Sequence, residues 1–326
     1  MKKSTSRAHS NIAFIKYWGK KDDELRLPTN GSISMNLSDI YTTTTVEFDE
    51  KLHEDEIEIN GERDLKKTEK VIRHLERIRK LGNVKTKAKI VSENNFPTGV
   101  GLSSSASGFA ALTHAAVSAL ELSISEKNIS ILARLGSGSA CRSIPEGFVE
   151  WKEGKTSDES YAESIYPENH WDIIDIVALT SKTEKYIPTT EGQKTAQTSP
   201  FFLERLRNIN QKIFDCKDHI LKKDFTKFGM LAENDALEMH AIMITSQPAL
   251  LYWLPGTIEM MKNVIEWRKG GLEVYFTINT GQNVHILCRG IDEERLVEEV
   301  KKISCVERII VNKPSKGTYA LPTHLF

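Results

Sequence analysis

The chain has 326 residues, and its 44 Lys and Arg stand against 45 Asp and Glu, a formal net charge of −1. A folded chain of this length buries roughly 75% of its unfolded surface, and at about 150 residues per domain it makes two domains or one large one. A balance this near zero excludes the footprint of a nucleic-acid or anionic-membrane binder, while leaving room for a local basic pocket that takes a small anion. Four cysteines form no CxxC pair, and nine histidines form no HxxxH or HExxH pattern; both facts argue against a disulfide framework and a structural zinc site. No apolar run of signal-peptide length follows the basic N-terminus, and the longest apolar stretch, 109–120, is too short for a bilayer. A reducing cytoplasm is the expected compartment.

Residues 11–18 read as a β-type run ending at Gly19 and a charged loop. Residues 32–37 and 43–48 each alternate apolar and polar, the pattern of two half-buried strands. A strand at 56–61 closes on Asn60-Gly61. Leu65, Val71, Ile72, Leu75, Ile78 and Leu81 then recur at helical spacing with a charged outer face. A strand at 88–93 enters a Gly/Ser-rich segment, followed by a small-residue helix at 109–120 and another helix at 126–135. Strands are expected at 148–151 and 173–180. The polar stretch 181–199, punctuated by Pro188 and Gly192 and closed by Pro200, is the expected junction, giving an N-terminal domain over 1–185 and a C-terminal domain over 186–326. Helices at 202–221, 225–243 and 255–269 precede strands at 274–278 and 284–287 around a turn at Thr280-Gly-Gln282. Lacking strict βαβ alternation, the pattern is α+β or mixed α/β rather than doubly wound.

The sharpest feature is Pro97-Thr-Gly-Val-Gly-Leu-Ser-Ser-Ser-Ala106. Gly99 and Gly101 permit a tight turn whose backbone N–H groups converge on an anion, and the positive end of the following helix points at the same place. The hydroxyls of Ser103, Ser104 and Ser105 can bind phosphate oxygens or Mg²⁺. The same residues would also serve as a plain Ser/Gly-rich helix cap. No Gly-Lys-Ser/Thr follows, so the loop is not a Walker A, and it is not a Rossmann GxGxxG.

The segment resembles the P-x-x-x-G-L-x-S-S-A phosphate loop of the superfamily of galactokinase, homoserine kinase, mevalonate kinase and phosphomevalonate kinase (the GHMP kinases). Pro97, Gly101, Leu102, Ser104, Ser105 and Ala106 fill its fixed positions. Asn11-Ile-Ala-Phe-Ile-Lys-Tyr-Trp-Gly-Lys20, Gly136-Ser-Gly-Ser-Ala-Cys-Arg-Ser143 and Gly147-Phe-Val-Glu-Trp151 look like signatures of the mevalonate diphosphate decarboxylases within it. Thr190-Glu-Gly192 and Thr198-Ser-Pro200 look like that family's substrate-phosphate loop.

The resemblance implies a two-domain α+β GHMP-kinase-like fold, with a ribosomal-protein-type N-terminal domain, a ferredoxin-like C-terminal domain and homodimeric assembly. It implies ATP and Mg²⁺, with phosphorylation of the C3 hydroxyl of a 5-phosphorylated mevalonate followed by loss of phosphate and CO₂. Gly99, Gly101, Leu102 and Ser103 to Ser105 then correspond to the nucleotide loop, Ser105 also serving the metal. Lys16 matches a lysine near the C3 hydroxyl, Ser139 a substrate-contacting serine, Arg142 the grip on the carboxylate, and Tyr17, Lys20, Thr189 and Thr190 substrate-side positions. A lysine on an apolar strand needs a buried partner in any case.

Two positions depart from that pattern. Members resembling this chain carry Asp-Ala-Gly-Pro-Asn with a catalytic Asp, where this chain has Asn279-Thr-Gly-Gln-Asn283. An amide can position a hydroxyl but cannot take its proton, and general-base help is worth about 10²–10⁴-fold. Three accounts are open: Asn279 positions the hydroxyl while Lys16 and water handle the proton; another carboxylate such as Asp235 substitutes; or the substrate arrives already phosphorylated at C3 and no ATP is needed. The second departure is Gln193, which stands where diphosphate users have Met and points to the phosphomevalonate subgroup. A kinase that stops before decarboxylation and a non-catalytic binder are the other classes. The intact Lys16, Ser139 and Arg142 set weighs against the binder, and Arg142 against the kinase. His240 and His285 read as packed core histidines.

Overall fold

The computed structural model describes residues 2–183 and 185–326, setting aside the side chains of residues 65–67, so the expected helix-face position of Leu65 lies outside the described side chains. The chain opens on β1 (Lys3–Ile15), a small ribbon of β2 (Lys20–Asp22) and β3 (Leu27–Pro28), and β4 (Ser32–Phe48). Then come β5 (Glu56–Ile59), α1 (Leu65–Gly82), β6 (Ala88–Asn94), α2 (Ser104–Ala119), α3 (Glu126–Gly136) and a 3-10 helix over Gly138–Ser143. β7 (Phe148–Trp151), β8 (Ala162–Tyr166) and β9 (Ile173–Leu179) complete the first half. The remainder is α4 (Thr189–Gly192), a 3-10 turn over Gln193–Thr198, α5 (Phe202–Lys222), α6 (Phe225–Thr245), α7 (Pro255–Lys269), β10 (Tyr275–Thr277), β11 (Val284–Arg289), α8 (Glu293–Lys301), β12 (Arg308–Asn312) and β13 (Tyr319–Leu321).

Two sheets organise these elements. The first runs β13-β1-β4-β6-β5, with β7 and β8 continuing from the other end of β4; the second is antiparallel in the order β10-β11-β9-β12. Membership does not follow chain order alone. β9 lies before the polar connection yet pairs with β11 and β12, and β13 returns to β1 through Thr5–Leu321. Among the described residues, no helix is long and apolar enough to cross a membrane.

The two half-buried strands expected at 32–37 and 43–48 are one 17-residue strand covered on both faces. Ile33, Met35 and Leu37 enter a core with Ile209 and Ile213 of α5 and Phe228 of α6. The alternate residues are buried too, and the 3-10 helix at 138–143 with the loop leading from it to β7 supplies partners to Ser32 and Asn36, while the Ser34 hydroxyl between them has none among the described residues. Ser32 accepts from Arg142, and Asn36 donates to the Pro145 carbonyl at 2.6 Å. A polar residue can occupy a buried strand face when its hydrogen bonds are met there. The Ala-rich helix also starts five residues earlier than its apolar pattern, at Ser104, so the serine run itself forms the first turn of α2.

α6 crosses β10 at close range because Gly229 carries no side chain: a Cβ there would lie 2.0 Å from the Tyr275 ring. That ring is enclosed by Phe225 and the Arg268 guanidinium. Gly229→Ala is expected to cost about 1–3 kcal/mol through overpacking, seen as a lower urea midpoint. An unchanged midpoint would contradict this packing.

Candidate active site

The loop between β6 and α2 carries three left-handed residues, Gly99 (φ 77°), Gly101 (φ 93°) and Ser103 (φ 57°). Gly101 meets Gly281 backbone to backbone: a Cβ on Gly101 would stand 2.9 Å from the Gly281 Cα, and one on Gly281 2.5 Å from the Gly101 Cα. The loop is anchored from both halves, as Ser10 donates to the Leu102 carbonyl (2.7 Å) and Asn283 to the Val100 carbonyl (2.8 Å). α2, 16 residues long, begins where these groups converge, so its positive end adds to the anion-binding field.

Lys16 follows directly on β1 and is buried. Its main chain is held from both sides: the N–H donates to Asp235 (2.7 Å), and the carbonyl accepts from Arg205 (2.9 Å) and Asn30 (2.9 Å). Arg205 and Asp235 form a fully buried two-stranded ion pair at 2.8 and 3.0 Å. The Lys16 ammonium has no such partner. It donates to the Ala13 carbonyl at 2.6 Å and to Asn279 Oδ1 at 3.3 Å. Burial lowers its pKa to about 7; Asp235 and Asp175 resist that shift, and Arg142 and Arg205 reinforce it. Burial alone would raise the Asp235 carboxyl, but Arg205, Lys212 and the Lys16 N–H hold it below the ordinary range. Asp235 is thus an ionised support beneath Lys16, outside the cavity, which removes it as a substitute base.

Asn279 links Lys16 to the loop, its amide nitrogen donating to Ser103 Oγ at 3.1 Å. Its carbonyl lies 3.0 Å from His240 Nε2, and burial drops that imidazole to a pKa of about 3, so it is a neutral donor. His285 packs in the core against Asp175, 3.0 Å away. Arg142, from the 3-10 segment, spends Nη1 on Ser32 (2.8 Å) and Nε and Nη2 on Asn11 (3.3 and 3.0 Å), with Trp151 beneath it. One N–H remains on each terminal nitrogen of a five-donor guanidinium. Lys185 donates to Thr189 (2.6 Å) and to the Thr280 carbonyl (3.0 Å), and burial lowers it to about 8.

These groups enclose a cavity of about 250 Å³. It gathers Lys16, Tyr17, Gly99, Gly101, Ser103, Ser104, Ser105, Ser139, Arg142, Thr189, Thr190 and Asn279 of the expected set. Two expected residues stay outside. Leu102 is buried as an anchor of the loop, and Lys20 sits on β2 paired with Asp23. Arg26, Lys70, Lys185, Gln193 and Thr280 also line the cavity, and no local motif marks any of them as a site residue except Gln193. Among the described residues the lining holds five Lys and Arg side chains and no carboxylate. A second, mainly apolar cavity of about 350 Å³, with Ile57, Val71, Ile90 and Phe109 in its wall, adjoins the first across Gly99, Ser104 and Ser105.

The chain matches the diphosphomevalonate decarboxylase-like N-terminal domain over residues 8–162 and the mevalonate 5-diphosphate decarboxylase C-terminal domain over 175–321. It belongs to the diphosphomevalonate decarboxylase family. The diphosphomevalonate decarboxylase of Debaryomyces hansenii is 37% identical over 320 residues, covering 92% of this chain and 82% of that one. That of Saccharomyces cerevisiae is 36% identical, covering 90% and 79%. The mevalonate diphosphate decarboxylase of Staphylococcus aureus superposes with a TM-score of 0.93 at 36% identity, covering 98% of both chains. A complex of MDDEF with MVAPP, AMPPCP and magnesium gives 0.93 at 37%, covering 98% of this chain and 99% of that one. The protein is accordingly an enzyme, a carboxy-lyase by family, and its two-domain α+β architecture is that of these decarboxylase structures.

The depressed Lys16 has a consequence for the decarboxylase's stability. Below about pH 7 the folded enzyme must hold a buried ammonium; between about 7 and 10.5 the unfolded chain keeps a proton that the native state has lost. Stability from this group therefore rises with pH across that window. Urea unfolding at pH 7 and 9 should show a larger rise in the wild type than in Lys16→Met; equal rises would contradict the burial argument.

Proposed function

We propose that the enzyme uses Mg-ATP to phosphorylate the C3 hydroxyl of a mevalonate phosphorylated at C5. Loss of that phosphate together with CO₂ then leaves the isopentenyl product. The observation that carries this reading is a cavity lined, among the described residues, by five Lys and Arg side chains and no carboxylate, opening onto an anion-binding loop. A trianionic substrate beside a nucleotide triphosphate needs such surroundings, because phosphoryl transfer is catalysed chiefly by positioning and charge stabilisation. In a similar structure MDDEF is bound to MVAPP, AMPPCP and magnesium.

The nucleotide base suits the apolar cavity, and its phosphates suit the backbone of Gly99 to Ser105, which lies between the two cavities. Ser105 and Ser137, whose hydroxyls are 3.2 Å apart, offer oxygen ligands for Mg²⁺. Among the described residues no cluster of three or more His, Cys, Asp or Glu could hold a metal, which fits an ion carried mainly by phosphate oxygens. Bound there, Mg²⁺ supplies neutralisation of phosphate charge. Arg142 grips the substrate carboxylate with its two remaining N–H groups, a bidentate fork that releases as CO₂ forms. Ser139, Tyr17, Thr189 and Thr190 position the rest of the substrate. Gln193, buried beside them, favours the 5-monophosphate.

Asn279 favours a second reading, decarboxylation of a 3,5-bisphosphate without ATP. Incubation with mevalonate 5-phosphate, its 5-diphosphate and the 3,5-bisphosphate, each with and without Mg-ATP, separates the two. ATP-dependent CO₂ matched by ADP from a C5-phosphorylated substrate is expected, and Arg142→Gln should reduce CO₂ release about 10²–10³-fold. CO₂ from the bisphosphate alone would establish the second reading, and ADP without CO₂ a kinase.

A further inference from the structure

Among the described residues no carboxylate lines the cavity, Asp235 is locked to Arg205, and His240 meets the Asn279 main-chain carbonyl from outside the lining; the base that lines the cavity beside the Asn279 side chain is Lys16. A neutral amine has two N–H bonds and one lone pair. The Ala13 carbonyl and Asn279 Oδ1 accept both hydrogens, so the one remaining tetrahedral position carries the lone pair toward the cavity that Lys16 lines. A protonated amine would place its third N–H in that position, with no carboxylate of the lining to receive it.

We propose that Lys16, as the free amine, takes the proton of the C3 hydroxyl during phosphoryl transfer, while Asn279 aligns the two groups. This rests on the ATP-dependent reading above. The C3 oxygen forms its bond to the γ-phosphorus as the bond from that phosphorus to the β-γ bridging oxygen breaks and ADP leaves. The hydroxyl proton ends on Lys16 Nζ. The ammonium so formed stands beside the new 3-phosphate and offsets its charge when the C3–O bond breaks, the C1–C2 electron pair becomes the C2=C3 bond, and CO₂ departs.

The groups that set the charge state of Lys16 come from every side. They are Asp235 and His240 of α6, Arg205 and Lys212 of α5, Arg142 of the 3-10 segment, and Asp175 of β9 with its partner His285. His240 is neutral in the accessible range, and Arg205 and Lys212 are matched by Asp235 and Glu238 of α6 in one network of two cations and two carboxylates. Burial with Arg142 nearby then favours the free amine near neutrality.

The test is single-turnover ADP formation at saturating Mg-ATP and substrate between pH 5.5 and 9. The wild type should show a rate rising with pH through an inflection near 7. Asn279→Asp supplies a carboxylate and should move that limb below pH 6; a limb set by the substrate's own phosphates would not move. Lys16→Arg keeps a cation but offers no lone pair at these pH values, and should lose about 10²–10⁴-fold. A flat profile, an inflection unchanged in Asn279→Asp, or an active Lys16→Arg overturns the proposal while leaving the ATP-dependent reading intact. Absence of ADP from either C5-phosphorylated substrate at every pH removes both.

Discussion

The buried Arg205–Asp235 pair holds the main chain of Lys16 by its N–H and its carbonyl, fixing the end of β1 against α5 and α6. Burying two charges is expensive, and replacing such a pair by apolar residues is often neutral or stabilising. What this pair achieves is placement. It puts an amine in the floor of a cavity built from both halves of the chain and ties up the Asp235 carboxylate in doing so. The cavity above it carries Arg26, Lys70, Arg142 and Lys185 with no carboxylate among the described lining residues, a state that favours a highly charged anion over water.

The two halves meet through backbone as well as through this ion pair. Gly101 and Gly281 touch Cα to Cα, so the phosphate-type loop and the Asn279–Asn283 turn cannot separate or approach without disturbing each other. Asn279 spans the same junction, with one end of its amide on Lys16 and the other on Ser103. A change at this residue is felt by the amine and the loop together. In an aspartate-bearing relative, the same geometry would present a carboxylate to both; here an amide passes the acid–base task to the lysine and retains the positioning.

The loop is legible in the sequence from its own Gly/Ser pattern and Lys16 as a lysine on an apolar strand, whereas Ser139, Arg142 and Asn279 stand out only through the family motifs that contain them. The clamp is not legible. Arg205 and Asp235 lie 189 and 219 positions from Lys16; Arg205 reads only as a polar residue at helical spacing, and Asp235 as a candidate base rather than as its ion-pair partner. Lys185 is hidden in a polar connection, where nothing local distinguishes it from a solvated lysine. The strand at 32–48 reads as two because alternation ordinarily means one wet face, whereas here Arg142 and the Pro145 carbonyl bond Ser32 and Asn36 on its polar side from within. β8, β12 and β13 are short and draw their stability from partners distant in sequence, a contribution that local propensity does not contain.

On the proposed route the C3 oxygen leaves as part of a phosphate derived from ATP. Mevalonate 5-phosphate labelled with ¹⁸O at its C3 hydroxyl, turned over with unlabelled Mg-ATP, tests it through mass spectrometry of the inorganic phosphate released. One labelled oxygen is expected in every phosphate formed along with CO₂. Unlabelled phosphate, with the heavy oxygen recovered in water, would contradict it.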